Sequence, residues 1–330
     1  MAKSDIEGTK DESKRMIKDV WCSNWKSNVE NILKSDENEA PISLYNKEEL
    51  IEAVKSENSN SINHTWYHMI ILEAVAFEAY TPLGMSDKED KAYRKIKYSK
   101  QLDFLKEMVS QVGIGTVEMV DRYEKTYNKA LDTATGKIQN RIASGLIVLA
   151  ISAIIAATAG AAAGPIAVSL LSSQFVGLSG AALVSACLAA LGGGAIAVGG
   201  TGVAGGVLVI VGGGALLGAA GAGAIVAGAA VMAKDNPELV ISQGAKLTVV
   251  LREIILNGQR DVKAAQAVLG NFKNQIIDMQ KEMAEIRLGR EDDKKTIQNL
   301  SRAIEALERL YRNADVFASS FETGLQIDYE

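Results

Sequence analysis

Apolar positions in the first part of the chain recur at helical spacing. Ile17, Val20, Trp21, Trp25, Val29, Ile32 and Leu33 are separated mainly by steps of three and four, which gathers them on one face of an amphipathic helix. Asn46 stands three residues before Glu49, and Ser86 three before Glu89. Both pairs have the form of a capping box, in which the leading side chain satisfies an orphan N–H of the opening turn. They predict helices over 47–57 and 87–112, with an apolar helix at 62–80 that ends at Thr81-Pro82-Leu83-Gly84. No stretch alternates with period two, so strands are not expected.

From Thr116 onward, Val117, Val120, Tyr127, Leu131, Ala134, Ile138 and Ile142 keep helical spacing, with no proline before Pro165. This pattern predicts one long helix that starts amphipathic and becomes apolar on all sides near Ile142. Between Arg141 and Lys234, 92 consecutive residues carry no charge; they include 20 Gly and 27 Ala, with Phe175 the sole aromatic. A charge at a bilayer centre is costly, and charge-free runs of about 18 residues already read as spans. As a helix, Ile142 to Ala163 would rise ~33 Å, the thickness of a hydrocarbon core. Residues 165–190 supply a second candidate span. Beyond Gly192 the repeated glycine clusters weaken a helix by roughly 1 kcal/mol per Gly relative to Ala. In lipid, however, unpaired backbone is worse, so helix is still expected. Roughly two to four crossings fit the length. The residues expected to enter lipid are Ile142, Leu146, Val148, Ile151, Ile154, Leu170, Leu183, Val207, Val209 and Leu216.

After Asn236-Pro237, which has the form of an N-cap with proline at the first helical position, 93 residues follow without proline. Val262, Ala265, Leu269, Phe272, Ile276, Met279, Met283 and Ile286 alternate steps of three and four. The register passes through Arg290 and Asp293 and resumes at Ile297, Leu300, Ile304, Leu307, Tyr311, Ala314, Ala318 and Phe321. Such a heptad predicts a buried seam in a coiled coil or long bundle. As one helix the register would reach ~90 Å, with Gly289 the expected bend or hairpin point. The pattern divides the chain into an N-terminal helical arm (1–115), an amphipathic lead-in helix (116–141), an uncharged membrane-inserting region (142–233) and a C-terminal coiled-coil arm (234–330).

Charge changes the picture only by subtraction. All 35 Lys and Arg and all 40 Asp and Glu lie in the arms, which are each nearly neutral. No basic stripe is available to neutralise a phosphate backbone, so nucleic acid is not an expected partner. Cys22 and Cys187 make no disulfide framework. Residues 1–19 contain no apolar h-region, so the expected route is synthesis in the cytoplasm without a cleavable signal. The protein then acts at a membrane there or leaves by a non-classical path.

Catalytic chemistry is sparse. His64 and His68 are four apart on one helical face, and Glu73 or Glu78 lies within reach of a metal held there. With no third ligand at a recognised offset, two interfacial histidines are the simpler reading. Gly200, Gly202 and Gly205 fit a dinucleotide fingerprint, and Gly160/Gly164, Gly202/Gly206 and Gly214/Gly218 fit helix-pairing motifs. At this glycine density both match by chance. No enzyme activity, cofactor or metal is expected. An apolar helix can also be interior to a large bundle, so the uncharged block has a non-membrane reading as well.

The layout of an amphipathic helix entering an apolar hairpin at 116–163, followed by a long helix leading away over 238–325, resembles the α-helical pore-forming toxins of the haemolysin BL and cytolysin A type. The Gly/Ala-rich run from Leu178 to Gly206 is also similar to the membrane segments of apolipoprotein L and of interferon-inducible glycine-rich proteins. The toxin resemblance implies an all-α fold, an elongated helical bundle whose apolar hairpin is shielded and then inserted. It also implies homo-oligomers, or helical partner subunits, assembled on a lipid bilayer. The expected function is permeabilisation of that bilayer, by a toxin component or a cell-killing effector. The alternative is a permanently integral protein using its coiled-coil arm as scaffold or adaptor.

Overall fold

A computed structural model describes residues 1–33, 44–60, 65–83, 86–99, 102–136, 227–289 and 294–323, with isolated positions at 177, 182 and 186. Every regular element among them is helical, so the fold is all-α over the described residues. No helix among them is long and apolar enough to cross a membrane. They fall into two compact units, residues 1–124 and residues 125–136 with 227–323.

The first unit begins with α1 (Ala2–Glu7) and α2 (Glu12–Leu33). On α2 the apolar face turns Trp21 and Val29 inward, leaves Ile17 and Trp25 half-buried and puts Val20 outside. Trp21 anchors a core with Phe77, Ala79, Tyr80 and Tyr93. Its ring stacks on Trp25 at 6.1 Å and meets Tyr80 edge-on at 5.3 Å. Its indole N–H donates to the Thr81 carbonyl at 2.7 Å, which satisfies the polar handle of a buried tryptophan.

The first capping box forms in full, and Ser86 caps its helix. Asn46 Oδ1 accepts from the Glu49 N–H at 2.9 Å while Glu49 returns a carboxylate to the Asn46 N–H at 2.8 Å, opening α3 (Lys47–Asn60). Ser86 Oγ accepts from the Glu89 N–H at 3.3 Å and donates to the Glu89 carboxylate at 2.7 Å, opening α5 (Asp87–Tyr93). The helices that follow are shorter than their patterns suggest. Helix α4 (Thr65–Ala76) ends at Ala76 rather than at 80, its expected first residues 62–64 lying outside the described ones; in place of 87–112 there are α5 (Asp87–Tyr93) and α6 (Leu102–Val112). The cause is tertiary. Phe77 and Tyr80 leave the helix to enter the core, as do Ile96 and Tyr98 beyond α5. Tyr80 takes a left-handed backbone, φ 64°, a conformation that costs a non-glycine residue of order 1–3 kcal/mol. Packing and a hydrogen bond to Asp5 hold it there.

Helix α7 (Val117–Thr135) starts in the first unit and, from Lys125, belongs to the second. It ends at Thr135, and the expected continuation through Ile138 and Ile142 lies outside the described residues. Gly136 adopts φ 69°, and Arg309 donates to the Ala134 carbonyl at 2.9 Å, satisfying one of the acceptors a helix end leaves open. The second unit continues with α8 (Ala227–Asp235), α9 (Pro237–Val249), a π-helix at Val250–Gln259, α10 (Val262–Leu288) and α11 (Lys294–Glu322).

The last residues of the uncharged block, 227–233, are part of α8, where Ala229, Ala230, Met232 and Ala233 are buried. They pack within the second unit. The C-terminal arm is several helices, with one break at the expected Gly289 and another that the heptad did not mark. Asn236 occupies the N-cap position of α9 without a side-chain capping hydrogen bond, and Pro237 follows at the first position; the chain then turns at Arg260, φ 54°, after the π-helix. Asp261 then recaps it through the Ala264 N–H at 2.9 Å. It leaves helix again at Gly289. Helices α10 and α11 are antiparallel: Gln266 pairs with Glu322 and Gln280 with Glu308, while Phe272 meets Tyr311 at 5.9 Å. Partners descend along one helix as they rise along the other.

Candidate functional site

The ten residues expected to enter lipid, Ile142, Leu146, Val148, Ile151, Ile154, Leu170, Leu183, Val207, Val209 and Leu216, lie outside the described residues, as do the glycine motifs, His64 and Cys187. The structure brings together the other candidate set, the heptad. Leu269, Phe272, Ile276, Met279, Leu300, Ile304 and Leu307 are buried, and Val262, Met283, Ile286 and Ile297 are half-buried. On α11 the covered face is wider than a two-position stripe, because Ala303, Ala306 and Leu310 are buried too. That is the face of a helix packed against several neighbours, here α8, α9 and α10.

The neighbour at the centre is α9, where all thirteen residues are buried. This helix carries Glu238, Ser242 and Lys246 at four-residue intervals, with Lys246 fully buried. Desolvated polar groups need partners, and several are present. Tyr127 Oη lies 3.1 Å from Ser242 Oγ. Glu238 forms an ion pair with Arg302 of α11. In the π-helix, Glu253 accepts from Thr126 at 2.8 Å and from Asn257 at 3.2 Å. Lys234 reaches Glu282 at 2.6 Å, and Asn299 donates to the Lys234 carbonyl at 2.7 Å. The exit from the uncharged block is therefore tied by polar contacts to α10 and α11 as well as by burial.

A cationic group lies in the same unit. Arg252 stacks over Phe317, 4.1 Å from guanidinium carbon to ring centroid. Lys129 is held below its ordinary pKa, first by burial and then by Arg252 and Lys125.

In the first unit, Asp5 is the polar node. Its carboxylate takes an ion pair from Lys18 at 2.6 Å, a hydrogen bond from Tyr80 Oη at 2.7 Å and one from the Ser99 N–H at 3.3 Å. Lys18 also donates to Thr9 Oγ1 at 2.9 Å. Burial, and then Asp5, pushes the Tyr80 phenol well above its ordinary range. His68 Nδ1 pairs with Tyr123 Oη at 2.8 Å, and Glu73 is fully buried while Glu78 is half-buried. Among the described residues no three metal-capable side chains converge. The Cys22 thiol is half-buried, and burial raises its pKa. This places a protonated side chain beside the Trp21 core.

Sequence reasoning passed over the buried polar residues of α9 and the π-helix. The available signal was the four-residue repeat of Glu238, Ser242 and Lys246 on an otherwise apolar helix. The Asp5 node had no such signal, since its members are scattered between residues 5 and 99. No family model, no curated protein and no solved structure matches the chain.

Proposed function

We propose that this protein inserts into a lipid bilayer through residues 142–226 and permeabilises it, acting in several copies as a pore-forming toxin component or cell-killing effector. The observation that carries the reading is the charge-free run of 92 residues between two highly charged arms. The described residues support it by their arrangement. Both flanks are helical, and the chain re-enters a packed unit at α8, so the run is tethered at both ends. Transfer of apolar surface out of water is worth roughly 25 cal/mol per Å2, which makes insertion of an exposed apolar hairpin strongly favourable. The form before insertion is then one in which that surface is covered.

The assembly step is constrained by α10 and α11. Their apolar faces are used within one chain, so copies associate through outer faces or by opening the helical pair. The test is dye release from liposomes by protein purified without detergent, at low and high salt. Release that persists in high salt marks a hydrophobic association. Protein recoverable only with detergent favours the integral scaffold. Protein that leaves every lipid composition intact and unbound at every pH overturns the reading.

A further inference from the structure

Helix α11 holds the chain at both flanks of the uncharged run. Where the chain departs, the Arg309 guanidinium donates from Nη1 to the Ala134 carbonyl at 2.9 Å. It lies against Gly136, 3.7 Å from where a Cβ would stand, and Glu305 pairs with its Nη2 at 3.7 Å. Where the chain returns, Asn299 donates to the Lys234 carbonyl at 2.7 Å, while Lys234 reaches Glu282 of α10 at 2.6 Å. Both bonds from α11 run to main-chain carbonyls near helix C-termini, where acceptors lack an intrahelical partner. The two donors stand on one helix, separated by a rise of about 15 Å.

We propose that α11 is a clasp, fastening the chain where it leaves the second unit for the uncharged run and where it comes back, and that the clasp stays closed while the run enters a bilayer. The bilayer step rests on the reading above; the clasp does not. Packing favours the closed state. Helix α8 lies on α11, and both bury alanines: Ala229, Ala230 and Ala233 on the first, Ala303 and Ala306 on the second. Side chains this small let helices approach closely, so parting them forfeits many short contacts. Charge acts in the same sense. Lys294, Lys295, Arg302, Glu305, Arg312 and Asp315 of α11 are exposed, and each Lys, Arg or Asp carried to a bilayer centre costs about 2.5–3.5 kcal/mol on insertion scales. The second unit therefore stays on the face it approached. With the clasp closed, the run leaves and returns through that face, in an even number of crossings.

The experiment uses the full-length protein in water and on vesicles. In water, amide hydrogen exchange read by mass spectrometry compares Arg309→Ala and Asn299→Ala with Arg312→Ala, a control whose guanidinium bonds within α11, to the Glu308 carbonyl at 3.2 Å. Arg309→Ala is expected to speed exchange about fivefold or more in the last turn of α7, and Asn299→Ala equally at the end of α8, because a helix end frays when its carbonyl loses a partner. Arg312→Ala should change either by less than about twofold. Unchanged exchange at both ends, or an equal effect of the control, overturns the clasp. On phosphatidylcholine vesicles, inserted wild-type protein is digested from outside by trypsin fixed to beads too large to enter. The run holds no Lys or Arg, so only the arms are cut. Loss of both arms supports insertion with the clasp closed, and survival of one arm joined to the embedded run overturns it. Protein that never binds vesicles sinks the membrane reading, and the exchange result then decides the clasp alone.

Discussion

Asp5 and Lys18 form a salt bridge with 3% and 6% of their side-chain surfaces exposed, so removing either partner strands a charge in the interior. Asp5→Ala is expected to destabilise the first unit by about 3–5 kcal/mol, the usual effect of breaking a buried pair, read from chemical denaturation. Tyr80→Phe removes one charge-assisted hydrogen bond and should lose about 1.5–3 kcal/mol. Tyr67 behaves oppositely. Its hydroxyl is buried and has no hydrogen-bond partner among the described residues, so Tyr67→Phe should be neutral or stabilising by about 1 kcal/mol.

The two phenols also set an alkaline limit. Burial raises both above the ordinary value of 10.0. The unfolded chain then loses these protons first, and stability is fully present below about pH 10 and falls as pH rises past it. The slope is roughly 1.4 kcal/mol per pH unit for each phenol. Tyr67→Phe should make the decline shallower, and an unchanged slope would show that this phenol titrates normally in the folded state.

At the scale of elements, local signals and tertiary packing part company in a consistent way. Asn46 and Glu49 are legible because a capping box is complete within four residues. Asn46→Ala should lower stability by about 1 kcal/mol, seen as a shift of the thermal midpoint. The ends of α4 and α5 were illegible because Phe77, Ile96 and Tyr98 leave helical geometry to reach a core centred on Trp21, many residues earlier. The heptad was legible as a buried stripe and Gly289 as the point where it bends or folds back, but which of the two occurs was not. Period alone cannot tell a helix that continues from one that returns. Leu307 is fully buried, so Leu307→Ala should cost about 2–5 kcal/mol. Glu305→Ala, on the exposed side of α11, should shift stability by less than about 0.5 kcal/mol. Equal effects would mean that the stripe is not the packed face in solution.

For the whole molecule, the boundary of the uncharged block is where sequence and structure disagree most usefully. Composition treats residues 142–233 as one region because no charge appears before Lys234. The structure assigns its last residues to α8, packed on α9 and α11. Two substitutions separate these roles. Ala230 is 3% exposed inside the helical unit, and Ala230→Glu buries a carboxylate there. It should lower stability by several kcal/mol, detected as early unfolding and aggregation in the absence of lipid. Val148→Arg adds a charge to the apolar run, where centre-of-bilayer placement costs about 2.5–3.5 kcal/mol on insertion scales. It should leave the denaturation midpoint near wild type and sharply reduce dye release. If Val148→Arg instead unfolds the protein in water as Ala230→Glu does, the apolar run is interior to a helical bundle. Selective loss of release by Val148→Arg alone places the lipid-entering segment upstream of α8.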